Sequence, residues 1–298
     1  MSAEFAALTG RNRALLEAMF ATPKAFGRGC VDHIADLAHC RLIGTTCWSG
    51  TFRTKFDWAR HVFFALPREL DGRFEIVPEQ IIVEGDLACV RARGRARVNN
   101  GRRYDNAYCL VYRLAAGCIV ELAEYLDTAL ITHAFGSGRP ALQPGVMERH
   151  PAVTPASYAS SALLSDDPAT VANKAAIRAL FDGPAAGYGA RYLALMADDV
   201  VYRIQGTTRF SGVYRGKADV VARLFDPLMA LLDGGIQVIA DRVFGESDWV
   251  VAQARGLARA RNGRRYDNDY CLLYRMRDGR IVEVVEYLDT ELVAWAFW

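Results

Sequence analysis

No run of apolar residues in the 298-residue chain approaches the ~18 that a membrane-spanning helix needs, so no membrane partner is expected. Charge of one sign is missing too. Lys and Arg total 36 against 34 Asp and Glu, a formal net charge of +2, with no basic stripe and no run of like charges. A protein that works on phosphate backbones would show one, which argues against nucleic acid as a partner. The start, Met1-Ser2-Ala3-Glu4-Phe5-Ala6, lacks a basic segment leading into an apolar one, so secretion is unsupported and a cytoplasmic location is expected. The seven cysteines are odd in number and lack C-x-x-C or C-x-x-H spacing, which reads as buried reduced thiols rather than a disulfide framework or a zinc site. A phosphate-cradling glycine loop is also missing, and neither metal nor cofactor is called for.

What the chain does have is a long internal repeat. Asn100-Gly-Arg-Arg-Tyr104-Asp105-Asn106-Ala-Tyr108-Cys109 recurs as Asn262-Gly-Arg-Arg-Tyr266-Asp267-Asn268-Asp-Tyr270-Cys271, an offset of 162. At that offset Glu121-Leu-Ala-Glu124-Tyr125-Leu126-Asp127-Thr128 overlays Glu283-Val-Val-Glu286-Tyr287-Leu288-Asp289-Thr290, and Gly44-Thr-Thr-Cys-Trp48 overlays Gly206-Thr-Thr-Arg-Phe210. The chain therefore reads as a tandem duplication: a domain over 1–135, a Gly/Pro/Ser-rich linker over 136–166, and a second domain over 167–298. Asp167-Pro168 supplies a helix start, with Asp as N-cap and Pro in the first turn.

Within the second copy the patterning predicts helices over 173–181, 191–197 and 218–232. A short strand over 200–205 lies between the last two, and strands over 236–244, 249–261, 266–276 and 281–288 follow. Helices first and a run of strands last is an α+β layout, a curved antiparallel sheet wrapped on its own N-terminal helices. Such a sheet closes around a pocket.

Each copy resembles a SnoaL-like domain of the nuclear transport factor 2 (NTF2-like) superfamily, through its Y-x-N-x-Y strand, its turn into a final strand and its closing E-Y-x-D-T. The resemblance implies two tandem cone-shaped α+β barrels, each with an apolar cavity, forming a monomeric pseudo-dimer or a homodimer. It also implies cofactor-free chemistry of the kinds relatives perform: isomerisation, cyclisation, dehydration, retro-aldol cleavage or epoxide hydrolysis. Other relatives only bind. The catalytic Asp of the ketosteroid isomerases would fall where this chain reads Arg41-Leu42-Ile43 and Arg203-Ile204-Gln205, without an acid. The Arg-x-Asp of the limonene-epoxide hydrolases becomes Arg91-Ala92-Arg93 and Gln253-Ala254-Arg255.

Strand alternation puts Tyr104, Asn106 and Tyr108 on one face and aims Glu124 inward from the last strand; the second copy matches with Tyr266, Asn268, Tyr270 and Glu286. The preceding strand is expected to add Arg91 and Arg93. In this reading Glu124 is a general base whose pKa burial raises, or else the hub of a buried ion pair with one of those arginines. Tyr104, Tyr108, Arg91 and Arg93 would hold a developing anion. Asn106 and Asn268 orient a substrate or bond the adjacent backbone, and Trp48, Leu126, Glu286 and Tyr270 complete the binding set. Asp127 and Asp289 precede a helical tail and read as its caps.

All five histidines and six of the seven cysteines lie in the first copy or the linker. That asymmetry points the chemistry to the first cone, with His39 as an acid or base near its mouth. The alternative is that the second copy, closer to the family wording, is the working one. The expected activity is a cofactor-independent lyase or isomerase acting on a hydrophobic, aromatic or polycyclic small molecule, with a place in aromatic-compound catabolism. A non-catalytic ligand-binding or scaffold protein is the first alternative and epoxide hydrolysis the second.

Overall fold

A computed structural model describes residues 2–21, 30–72, 74–136 and 164–298. Most of the expected linker, and with it His150, lies outside the described residues. These residues fall into two compact units, one of residues up to 136 together with 164–165, the other of 166–298.

The first unit begins with helix α1 (Ala3–Phe20), whose N-cap Ser2 accepts a hydrogen bond from Phe5 N. Six strands follow: β1 (Ile34–Leu42), β2 (Gly50–Phe52), β3 (Glu75–Glu84), β4 (Leu87–Arg95), β5 (Ala107–Ala115) and β6 (Cys118–Leu126). They form one sheet in the order β2-β1-β6-β5-β4-β3. All neighbours run antiparallel except β1 and β6, which are parallel, so the sheet is mixed and open-edged rather than a closed antiparallel barrel. Asn12 of α1 donates to Gly85 O in the β3–β4 turn and ties the helix to the sheet. β5 and β6 are joined by Ala116-Gly117, both at positive φ, the two-residue turn that matches strand twist.

The second unit repeats the plan. Helix α2 (Pro168–Asp182) is capped by Asp167, and α3 (Tyr188–Leu195) follows it. The strands are β7 (Met196–Ile204), β8 (Gly212–Arg215), β9 (Leu232–Glu246), β10 (Trp249–Ala260), β11 (Asn268–Arg277) and β12 (Arg280–Leu288), in the order β8-β7-β12-β11-β10-β9. The short edge strand β8 is not apparent in the sequence pattern.

Two features shape the interiors. The helical stretch after β2 is interrupted by a wide turn in which Phe64 N donates to Ala59 O at 2.8 Å, five residues back. The second unit has its counterpart at Val221–Phe225. Such π turns re-aim side chains; Val62 and Phe63, like Val221, Leu224 and Phe225, line cavities. Strand order then brings β6 and β12 to mid-sheet. Glu124 lies between Leu42 and Leu110, and Glu286 between Ile204 and Leu272.

Candidate functional site

In the first unit Glu124 lines a cavity of about 220 Å³ together with Tyr104, Tyr108, Trp48 and Leu126. Most of the remaining wall is aliphatic or aromatic, including Trp58, Phe63, Tyr112 and Phe135. Burial pushes the Glu124 carboxyl up to about 7. No described residue forms a hydrogen bond or ion pair with that carboxyl, so none of them opposes the shift. Tyr108 O–H donates to Tyr104 O at 3.2 Å. Burial holds both phenols well above their ordinary value, so both stay protonated; the Tyr108 proton is committed to Tyr104, which keeps its own to donate.

The second cavity is larger, about 730 Å³, and Glu286, Tyr266 and Tyr270 line it. Glu286 is also pushed up to about 7 by burial, opposed by a short hydrogen bond from Tyr202 O–H. Tyr192 O–H donates in turn to Tyr202 at 3.4 Å, so a chain of two phenols ends on the carboxyl. Tyr270 donates to Tyr266 at 3.3 Å, which leaves the Tyr266 O–H proton free to face a ligand.

Several residues expected at the site are elsewhere. Ala92, not Arg91 or Arg93, lies opposite Tyr108 in the β4–β5 ladder, so both arginines are on the other face of the sheet. Arg91 donates to Gln80 at 3.0 Å and Arg93 pairs with Glu79 at 3.0 Å; the second copy's Arg255 pairs with Asp241. His39 is exposed on β1, flanked by the buried Ala38 and Cys40, and takes no part in the cavity. No described histidine lines either cavity.

Asn106 and Asn268 are buried but serve the backbone. The Asn106 carboxamide donates to Asp127 O and accepts from Asp127 N, and Asn268 does the same with Asp289. Asp127 and Asp289 then cap the helices Thr128–Phe135 and Thr290–Phe297.

The cysteines that sequence reasoning assigned to the core turn out to mark the main difference between the sites. At the constant offset of 162, Tyr192 and Tyr202 correspond to Cys30 and Cys40. The phenol chain of the second site is thus replaced by two thiols in the first. Burial raises both, Cys40 to about 12, with the nearby Glu124 adding to the rise.

The description "SnoaL-like domain" matches this chain twice, over residues 16–122 and 177–284. The chain belongs to the SnoaL-like family. Uncharacterized proteins of Mycobacterium tuberculosis and Mycobacterium bovis are 30% identical to it over 122 residues, which is 41% of this chain and 92% of each relative. Among solved structures, a putative SnoaL-like polyketide cyclase from Jannaschia is 21% identical, covering 45% of this chain and 96% of its own, with a TM-score of 0.38. Bal32a, from a soil-derived mobile gene cassette, is 22% identical over 43% of this chain and 98% of its own, with a TM-score of 0.38. An LEH-like epoxide hydrolase of Mycobacterium tuberculosis is 20% identical over 44% of this SnoaL-like chain and 92% of its own, with a TM-score of 0.35.

Proposed function

We propose that this SnoaL-like protein is a cofactor-independent lyase or isomerase that starts its reaction by taking a proton from carbon or hydroxyl of a hydrophobic, aromatic or polycyclic small molecule. The superfamily includes polyketide cyclases, ketosteroid isomerases and epoxide hydrolases, so an enzymatic role accords with it. One observation carries the reading: in each cone a buried carboxyl group, pushed up to about 7 by that burial, lines a largely apolar cavity beside two phenols. A general base works best with a pKa near the working pH, and burial supplies that here.

The second cone has the fuller set, so the proposed base is Glu286 rather than the first copy's Glu124. Ionised Glu286 takes a proton from the carbon next to a carbonyl, and the electron pair moves onto the carbonyl oxygen. The Tyr266 O–H hydrogen-bonds that enolate oxygen. The proton held by Glu286 then goes to the far carbon of a conjugated enolate, giving an isomer; alternatively the enolate re-forms its carbonyl, the bond to a leaving group on the β-carbon breaks as a Cα=Cβ bond forms, and that group takes the proton from Glu286, giving a lyase product. Tyr202 and Tyr192 keep the carboxyl placed and offer a route for its proton. Glu124, Tyr104 and Tyr108 repeat the arrangement in a smaller space without that route.

Deuterium exchange tests the reading. Cyclic and aryl ketones incubated with the protein in D2O are expected to gain deuterium at the α-carbon, read by NMR. Glu286→Gln should cut the exchange rate by ~10²-fold or more while leaving the protein folded, the scale of a lost general base. Exchange that survives this change, or binding of the ketones with no exchange at all, would reduce the second cone to a ligand carrier.

A further inference from the structure

We infer that the first cone is a binding site for a small organic cation, a compact protonated amine held between the Glu124 carboxylate and the aromatic wall of Trp48, Trp58, Tyr104 and Phe135. Three observations converge on that ligand. First, among the described residues Glu124 is the sole acid on the cavity wall and no Lys, Arg or His lines it. A carboxylate turned into an apolar cavity with no partner is costly, and a cation from outside would remove the cost. Second, the wall is rich in the rings that attract cations. Trp48 and Phe135 lie 5.5 Å apart centre to centre and Tyr104 and Phe135 4.9 Å, which makes one run of three rings, and Trp58 and Phe63, 5.8 Å apart, add a second pair to the wall.

Third, the first copy has lost what keeps Glu286 satisfied. Tyr202 donates to Glu286, whereas its counterpart Cys40 gives Glu124 no hydrogen bond. Both the charge and the open hydrogen-bonding capacity of Glu124 are left for a ligand. The cavity, about 220 Å³, lies below the ~300 Å³ at which drug-sized pockets begin, which limits the ligand to one ring or a branched aliphatic group.

Binding should be coupled to protons. The titratable groups around Glu124 are Cys30, Cys40, Tyr104, Tyr108 and Tyr112, and burial holds all five neutral around pH 7. Glu124 is then the group that changes, and pairing with an ammonium favours its ionised form, so amine binding near pH 6.5 releases a proton.

The test is calorimetric titration of the full-length protein with three probes on one skeleton: phenethylamine, 2-phenylethanol and phenylacetate. At pH 7.5 phenethylamine is expected to bind at least ~10-fold more tightly than 2-phenylethanol, and phenylacetate not at all. Glu124→Gln should weaken the amine by ~10-fold or more and Glu286→Gln should not. At pH 6.5 the binding heat should vary with the buffer's ionisation enthalpy in the sense of proton release. Equal affinity for the alcohol, or amine affinity unchanged in Glu124→Gln or lost in Glu286→Gln, overturns the assignment. Should Glu124→Gln fail to fold, the ranking of the three probes on the unmodified protein decides the question.

Discussion

Glu286 and Glu124 are held in the folded protein at about 7, against an ordinary value of 4.5. Each therefore binds its proton more tightly in the folded chain than in the unfolded one. Between pH 4.5 and 7 the folded state carries more protons, so stability is greatest below that window and is lost as pH rises through it. Replacing either residue by Gln removes the charge that burial disfavours. Calorimetric melts of Glu124→Gln and Glu286→Gln should accordingly give a Tm above that of the unmodified protein at pH 8, with the difference closing at pH 4. A site residue that destabilises its own fold at working pH is typical of function rather than packing. Tyr202 works in the opposite direction, since its hydrogen bond favours the ionised carboxyl. In Tyr202→Phe the acidic limb of the kcat–pH profile should move to higher pH, a shift that loss of packing alone would not produce.

Each central hairpin depends on one carboxamide and one missing side chain. Asn106 spans the backbone N–H and C=O of Asp127 at 2.9 and 3.1 Å, and Asn268 spans those of Asp289 at the same distances. Asn106→Ala removes both of these bonds, leaving the Ile131 N–H as a donor to Asp127 O at 3.3 Å, and is expected to lower unfolding stability by about 1–3 kcal/mol in denaturant melts. Asn106→Asp should not restore it, because a carboxylate cannot donate to Asp127 O. At Gly256 an added Cβ would lie 2.7 Å from the Tyr270 ring, and at Gly94 2.6 Å from the Tyr108 ring. The absent side chain is what lets each tyrosine lie against the neighbouring strand and reach its partner phenol. The repeat, the helix caps and the inward faces of β5, β6, β11 and β12 were all legible in the sequence, because alternation and a fixed offset determine them. The facing of β4 was also legible: Val90, Ala92 and Gly94 alternate with Arg91 and Arg93, so the small residues face in. Placing the arginines inward overrode that alternation, since their partners Glu79 and Gln80 sit on a neighbouring strand that only the register identifies. The pairing of Tyr202 with Glu286 was hidden for a similar reason. It joins strands 84 residues apart through a parallel contact that no hairpin announces.

The duplicated chain holds two cavities of unlike volume, about 220 and 730 Å³, and the aligned residues account for part of the difference. Trp58 and Phe74 line the first cavity where the second copy has Val220 and Ile236. The larger cavity falls within the ~300–1,000 Å³ range of drug-sized sites and the smaller does not, so one chain should sort ligands by size. A three- or four-ring aromatic ketone is expected to bind once per chain in calorimetric titrations. Ile236→Phe, which copies the first cone's residue into the second, should weaken that ligand, because Ile236 lines the larger cavity and the added ring would occupy part of it. The reciprocal change, Trp58→Val, should open the first cone and raise the number of polycyclic ligands bound towards two per chain, at a loss in stability of about 3 kcal/mol from the emptied volume. If the polycycle binds twice per chain before either change, cavity volume is not what separates the two cones. Their difference would then rest on the Tyr-to-Cys exchange around the carboxyl alone.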